Sequence, residues 1–135
     1  MANGDTACAR KIWREPLMDT IFIKNLRFEA IIGIYPHERI NEQPMVINLE
    51  MANDIRDAAI NNDLDASINY AAVSEAVIQF CQEAKAELLE TLAENLSEFL
   101  MTQFNIPGLR LEIGKPIAVA EAELVGVRIA RGVSF

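Results

Sequence analysis

Apolar and polar positions along this chain change period twice, from about two to about 3.6 and back, dividing it into strands, then helices, then strands again. From Asp19 to Tyr35, the residues Ile21, Phe22, Ile23, Leu26, Phe28, Ile31 and Ile32 favour extended backbone and predict one long strand. Its even positions Phe22, Leu26, Phe28, Ala30 and Ile32 form one apolar face, while Ile21, Ile23 and Ile31 put apolar surface on the other. Gly33 breaks the pattern, and Pro36 to Pro44 reads as polar loop. Met45 to Met51 alternates cleanly, with Met45, Ile47, Leu49 and Met51 pointing one way and Val46, Asn48 and Glu50 the other. These two strands are expected to pair antiparallel through the loop. Asp54 to Asn69 follows neither period and reads as irregular, with room for a helical turn at Ile55 to Ile60.

Helical spacing begins at Tyr70. Val73, Ala76, Val77, Phe80, Cys81 and Ala84 form a stripe up to Lys85, with Ser67 or Asn69 available as N-cap. A second stripe, Leu88, Leu89, Leu92, Leu96, Phe99, Leu100 and Phe104, runs through Glu87 to Phe104, leaving Thr91, Glu94, Asn95 and Glu98 to water. No strong breaker separates the two stripes, but one helix over both would be long for a globular domain, so two helices with a hinge at Lys85 to Glu87 are predicted. Pro107-Gly108 ends the second. Leu109, Leu111 and Ile113 then alternate as a third strand up to Gly114-Lys115-Pro116, and Leu124 to Arg131 forms a fourth, with Val125, Val127 and Ile129 on one face.

The order ββααββ gives an α+β domain, an antiparallel four-stranded sheet with two helices on one face. Two open edges and a second apolar face on the first strand predict that subunits join their sheets, and hence an oligomer.

Composition narrows the function. No run approaches the roughly 20 apolar residues of a membrane helix. A net charge of −8 with basic residues scattered singly, apart from Arg10, Lys11 and Arg14, disfavours nucleic acid and anionic membranes as partners. Two cysteines, Cys8 and Cys81, and a single histidine, His37, supply neither a disulfide framework nor a Cys/His zinc set, so no metal is expected and the cytoplasm is the expected compartment. Residues 1–17 lack the apolar core of a signal peptide and read as an extension ahead of a single domain spanning 18–135.

Four polar side chains fall at element ends, where a rigid frame can present them: Glu38, Tyr70, Glu90 and Lys115. Lys115 sits between Gly114 and Pro116, and partial burial would suit it to acid–base work. Glu90 lies in the first turn of its helix, where the peptide dipoles favour a carboxylate able to accept two neighbouring N–H donors. Each has a bland alternative. Lys115 can be a solvated strand end, Glu90 a solvated first-turn residue, Glu38 a partner of Arg39, and Tyr70 a packing aromatic.

Gly33-Ile34-Tyr35, Glu38, Gln43, Asn69-Tyr70, Leu88-Leu89-Glu90, Lys115-Pro116, Gly126-Val127 and Arg131-Gly132 together resemble the bacterial dihydroneopterin aldolases of folate biosynthesis, over Met18 to about Gly132. His37, where close bacterial relatives often carry an aromatic residue, departs from the pattern. The resemblance implies the tunnelling fold, in which subunits pool their sheets into a barrel ringed by helices, and two tetrameric rings stack into an octamer with active sites between subunits. It implies 7,8-dihydroneopterin as substrate and a retro-aldol reaction with no cofactor, metal or Schiff base. Glu90 would hold the pterin 2-amino group and ring N3–H, Leu89 would line the pocket, and backbone near Ile68, Asn69 and Tyr70 of a neighbouring subunit would approach the ring. Lys115 would act as general acid and base through water, Glu38 would place the hydroxyl or that water, and Tyr70 would help shuttle the final proton.

Two other readings remain at this point. The related dihydroneopterin triphosphate 2′-epimerase breaks the same bond and re-forms it, although an acidic chain suits a triphosphate poorly. A silent pterin-binding oligomer would bind without turnover. Tunnelling-fold enzymes that need several His or Cys ligands are excluded by the single histidine.

Overall fold

The computed structural model describes residues 18–135, so the expected N-terminal extension lies outside the described residues. Strands β1 (Asp19–Ala30), β2 (Gln43–Asn53), β3 (Gly108–Lys115) and β4 (Val125–Gly132) form one antiparallel sheet in the order β1-β2-β3-β4. The helices are α1 (Pro36–Ile40), α2 (Arg56–Asn61), α3 (Tyr70–Ala84) and α4 (Leu89–Gln103), with a 3₁₀ turn at Leu64–Ala66.

Register explains the core. Ile23, Leu49, Leu111 and Ile129 lie side by side across the four strands, and Leu26, Ile47, Ile113 and Val127 form the next row. Val73, Val77 and Cys81 of α3 and Leu92, Leu96 and Leu100 of α4 are buried in the same cluster as these rows. Phe80 stacks on Phe99 at 4.9 Å where α3 meets α4. The two long helices are those expected, as is the capping of α3 by Asn69, whose side chain accepts from the amides of Ala71 and Ala72. The break falls at Lys85, in left-handed backbone (φ 45°), which stops α3 and turns the chain toward α4. Leu88 is the N-cap of α4 and half exposed, so it leaves the stripe assigned to it.

The first strand departs from expectation. β1 stops at Ala30 and not at Tyr35, and Pro36 to Pro44 is no simple loop: Pro36, at the first helical position, opens α1, and β2 starts at Gln43 opposite Ala30. Within β1 the pairing slips by one residue. Ile23 lies opposite Leu49 while Leu26 lies opposite Ile47, so three steps on β1 match two on β2. The extra residue is a bulge in which Asn25 takes φ 57° and its N–H donates to the Asn48 side chain at 2.7 Å. Such a slip exchanges the faces. Ile21 and Ile23 therefore pack against the core with Leu26 and Phe28, whereas Phe22 is 65% exposed. Of the residues predicted to make a second apolar face, Ile21, Ile23 and Ile31, the first two turn to the core and Ile31 lies beyond the end of β1, so that face is not built as expected. The open side of the sheet instead carries the pairs Glu50–Arg110 and Glu112–Arg128, with Asn48 donating to Glu112.

Candidate active site

The segment from Gly33 to Gln43 is folded around one carboxylate. Glu38 lies on α1 and is 7% exposed, and its oxygens accept from Lys115 Nζ at 2.8 Å, Gln43 Nε2 at 3.0 Å and the Tyr35 amide at 3.2 Å. The Tyr35 contact is one half of a capping box, a third-position Glu reaching back to the N-cap amide. Gln43 is itself fixed, because the same Nε2 donates to the Ile32 carbonyl at 2.8 Å. Gly33 makes room: it has φ +126°, and a Cβ built there would lie 2.1 Å from the Glu38 carboxylate.

Lys115, the last residue of β3, reaches this carboxylate across 77 positions, and both side chains are nearly closed off from water, at 13% and 9% exposure. Neither bland alternative holds for this pair. Lys115 is not a solvated strand end, and Glu38 pairs with Lys115 while Arg39 turns to backbone carbonyls. Burial works against the charge of Glu38, but the hydrogen bonds from Lys115, Gln43 and Tyr35 outweigh it and hold its carboxyl at about 2, below the usual 4.5. A carboxyl depressed in the folded state contributes stability that is present above pH 4.5 and lost as the pH falls toward 2. The stability difference between the native chain and Glu38→Gln, followed by urea unfolding at successive pH values, is therefore expected to shrink through that window.

None of the other expected residues hydrogen-bonds to the pair. Glu90 is exposed in the first turn of α4, and Leu89 packs partly buried beside the core. Ile68 is buried, Asn69 is spent on capping α3, and Tyr70 is 63% exposed at the start of that helix. The Glu38 segment meets the opposite end of α3, where the Gly33 amide donates to the Ala86 carbonyl at 3.1 Å. With a rise of about 1.5 Å per residue, Tyr70 lies on the order of 20 Å along the helix from that contact. Glu90, four residues beyond Ala86, follows the same junction that the Glu38 segment touches.

Among the described residues no group of three or more His, Cys, Asp or Glu side chains converges as a metal site. No described helix is long and apolar enough to cross a membrane. A groove of about 380 Å³ on the open sheet face is lined by Glu50, Arg110, Glu112 and Arg128, whose charges already pair with one another.

A family model described as "FolB: Dihydroneopterin aldolase" matches residues 21–130. The chain belongs to the dihydroneopterin aldolase family. Dihydroneopterin aldolase of Escherichia coli is 41% identical over 115 residues, 85% of this chain and 94% of the relative, and that of Haemophilus influenzae is 39% identical over 85% and 98%. The crystal structure of the E. coli dihydroneopterin aldolase in complex with neopterin matches the fold with a TM-score of 0.82, covering 85% of this chain and 100% of that one. A dihydroneopterin triphosphate 2′-epimerase of Pseudomonas aeruginosa is 32% identical over 86% of this chain and 94% of the relative. Two side chains whose contacts the sequence did not indicate fix the Glu38 segment: Gln43, which orients Glu38, and Arg39, expected at most to pair with Glu38, which instead joins the segment to the α3–α4 hinge. A buried Gln beside a Pro carries no local signal of what it touches.

Proposed function

We propose that this chain cleaves 7,8-dihydroneopterin into 6-hydroxymethyl-7,8-dihydropterin and glycolaldehyde, a lyase reaction of folate biosynthesis. The observation that carries this reading is the Glu38–Lys115 pair, sequestered at 2.8 Å in a chain of this family. Loss of the proton from the side-chain 2′-hydroxyl lets the adjacent C–C bond break, and the electron pair moves into the imine system of the dihydropterin. Because the ring accepts those electrons, the step needs neither a metal ion nor a Schiff base. Lys115, held on Glu38 at 2.8 Å, is the general acid and base: as the amine it takes the 2′-hydroxyl proton through water, and as the ammonium so formed it returns a proton, relayed by Tyr70, to the side-chain carbon that glycolaldehyde has left, which completes the hydroxymethyl group. Glu38, kept ionised, accepts from and so orients the hydroxyl or that water. Glu90 holds the ring through its 2-amino and N3–H groups, with Leu89 against the ring face.

Tyr70, Asn69 and Ile68 complete the site from a neighbouring copy. Their separation of on the order of 20 Å from the Glu38 junction along α3 supports that assignment, because one chain cannot bring both ends of a straight helix to one substrate. The open edges β1 and β4 are where copies would join sheets into a ring, two rings making an octamer.

Incubation with 7,8-dihydroneopterin and chromatographic separation of the products tests the reading. Glycolaldehyde and the hydroxymethyl pterin are expected, and their absence overturns it. The epimerase relative supports a second activity through the same bond break, seen as formation of the 2′-epimer. Glu90→Ala is expected to weaken neopterin binding by about 1.5–3 kcal/mol, the value of a charge-assisted contact, as read by fluorescence titration.

A further inference from the structure

The α3–α4 hinge and the Glu38 segment are separate in sequence and meet along a seam that one side chain bridges. Arg39 donates through Nη1 to the carbonyls of Gly33 at 3.0 Å and Ala86 at 3.1 Å, and through Nη2 to Lys85 at 2.8 Å. The main chain adds the Gly33 N–H to Ala86 carbonyl bond, so Ala86 accepts twice. Lys85 and Ala86 follow the last turn of α3, where carbonyls lack partners within the helix and a cation is favoured by the helix dipole. Lys85 also holds left-handed backbone, costly for a residue with a Cβ, so its carbonyl gains from a fixed donor. Among the described residues Arg39 pairs with no carboxylate; its fork is given over to these three carbonyls.

We propose that Arg39 is a positioning residue that locks the hinge before α4 to the Glu38 segment, and thereby sets the distance between the carboxylate that holds the ring and the pair that moves the proton. The inference rests on the aldolase reading. Glu38 precedes Arg39 by one residue, and Glu90 follows Ala86 by four, so the guanidinium ties the segment that carries Glu38 to the hinge that leads into the first turn of α4. Without it the hinge keeps one backbone bond to the loop, and Glu90 can still bind the ring while the ring's side chain drifts from Lys115.

Steady-state kinetics of Arg39→Ala and Arg39→Lys beside the native chain test this. Because a shift of about 1 Å costs on the order of 100-fold, Arg39→Ala is expected to lose about that in kcat while KM changes several-fold less. Lysine is a point donor that cannot span three carbonyls, so Arg39→Lys is expected to fall about tenfold in kcat. Millimolar guanidinium ion should restore part of the kcat of Arg39→Ala and leave the native chain unchanged. A folded Arg39→Ala with native kcat, or a loss carried wholly by KM, overturns the proposal. If the alanine variant does not fold, the lysine variant decides, and native kcat there overturns it. An inactive native chain would mean that the aldolase reading has failed; amide exchange at Gly33 then reads the clasp alone, with faster exchange in the variants supporting it and unchanged exchange overturning it.

Discussion

Lys115→Ala is expected to reduce turnover of 7,8-dihydroneopterin by roughly 10²–10⁴-fold, the contribution of a positioned acid–base group, while neopterin still binds. The geometry separates the two effects, because Lys115 closes on Glu38 at the end of β3 whereas the proposed ring contact belongs to α4. The substitution also leaves the Glu38 carboxylate buried with only Gln43 and the Tyr35 amide as donors. A buried charge that loses its partner destabilises by about 3–5 kcal/mol, so unfolding must be followed alongside activity. Product formation over time, with binding measured by neopterin fluorescence, gives the decisive comparison. Full turnover by the alanine variant would remove the mechanism.

Gly33→Ala is expected to damage activity more than folding. Backbone at φ +126° costs a residue with a Cβ about 1–3 kcal/mol, enough to lower the unfolding midpoint without abolishing the fold. The new methyl would overlap the Glu38 carboxylate, which must shift to make room and so disturbs its contact with Lys115. A displaced carboxylate of this kind should lower kcat by about 100-fold, and the remaining stability shows that the protein is folded when it does so. Retention of native kcat in Gly33→Ala would mean that the close approach of Gly33 to Glu38 has no bearing on turnover.

The ββααββ order, the two-helix break and the Glu38–Lys115 convergence are legible in the sequence for different reasons. Periodicity marks Met45 to Met51 and the stripe from Leu92 to Leu100 because burial imposes it directly on residue type. The meeting of Glu38 and Lys115 across 77 positions has no local trace, and only the resemblance of scattered residues to a family points to it. The bulge at Asn25 was hidden because Ile21, Phe22 and Ile23 are all strand formers, so neither parity is disfavoured by composition and the slip is settled by pairing with β2. α1 was hidden for the opposite reason: five polar-leaning residues carry too little pattern, and what folds them is a capping contact together with the buried carboxylate. The separation of Tyr70 from Glu38 follows from the length of α3, yet it acquires meaning only once the loop is seen to dock at that helix's far end.

The extra residue in β1 also bears on how a newly made chain avoids fibrils. A free outer strand of twelve residues with an unbroken hydrogen-bonding repeat would accept any stray extended segment from another molecule. With Asn25 turned out of the repeat and the charged Lys24 beside it, the strand is divided into two shorter regular stretches, Asp19–Ile23 and Leu26–Ala30, each a poorer template for stray segments than the whole.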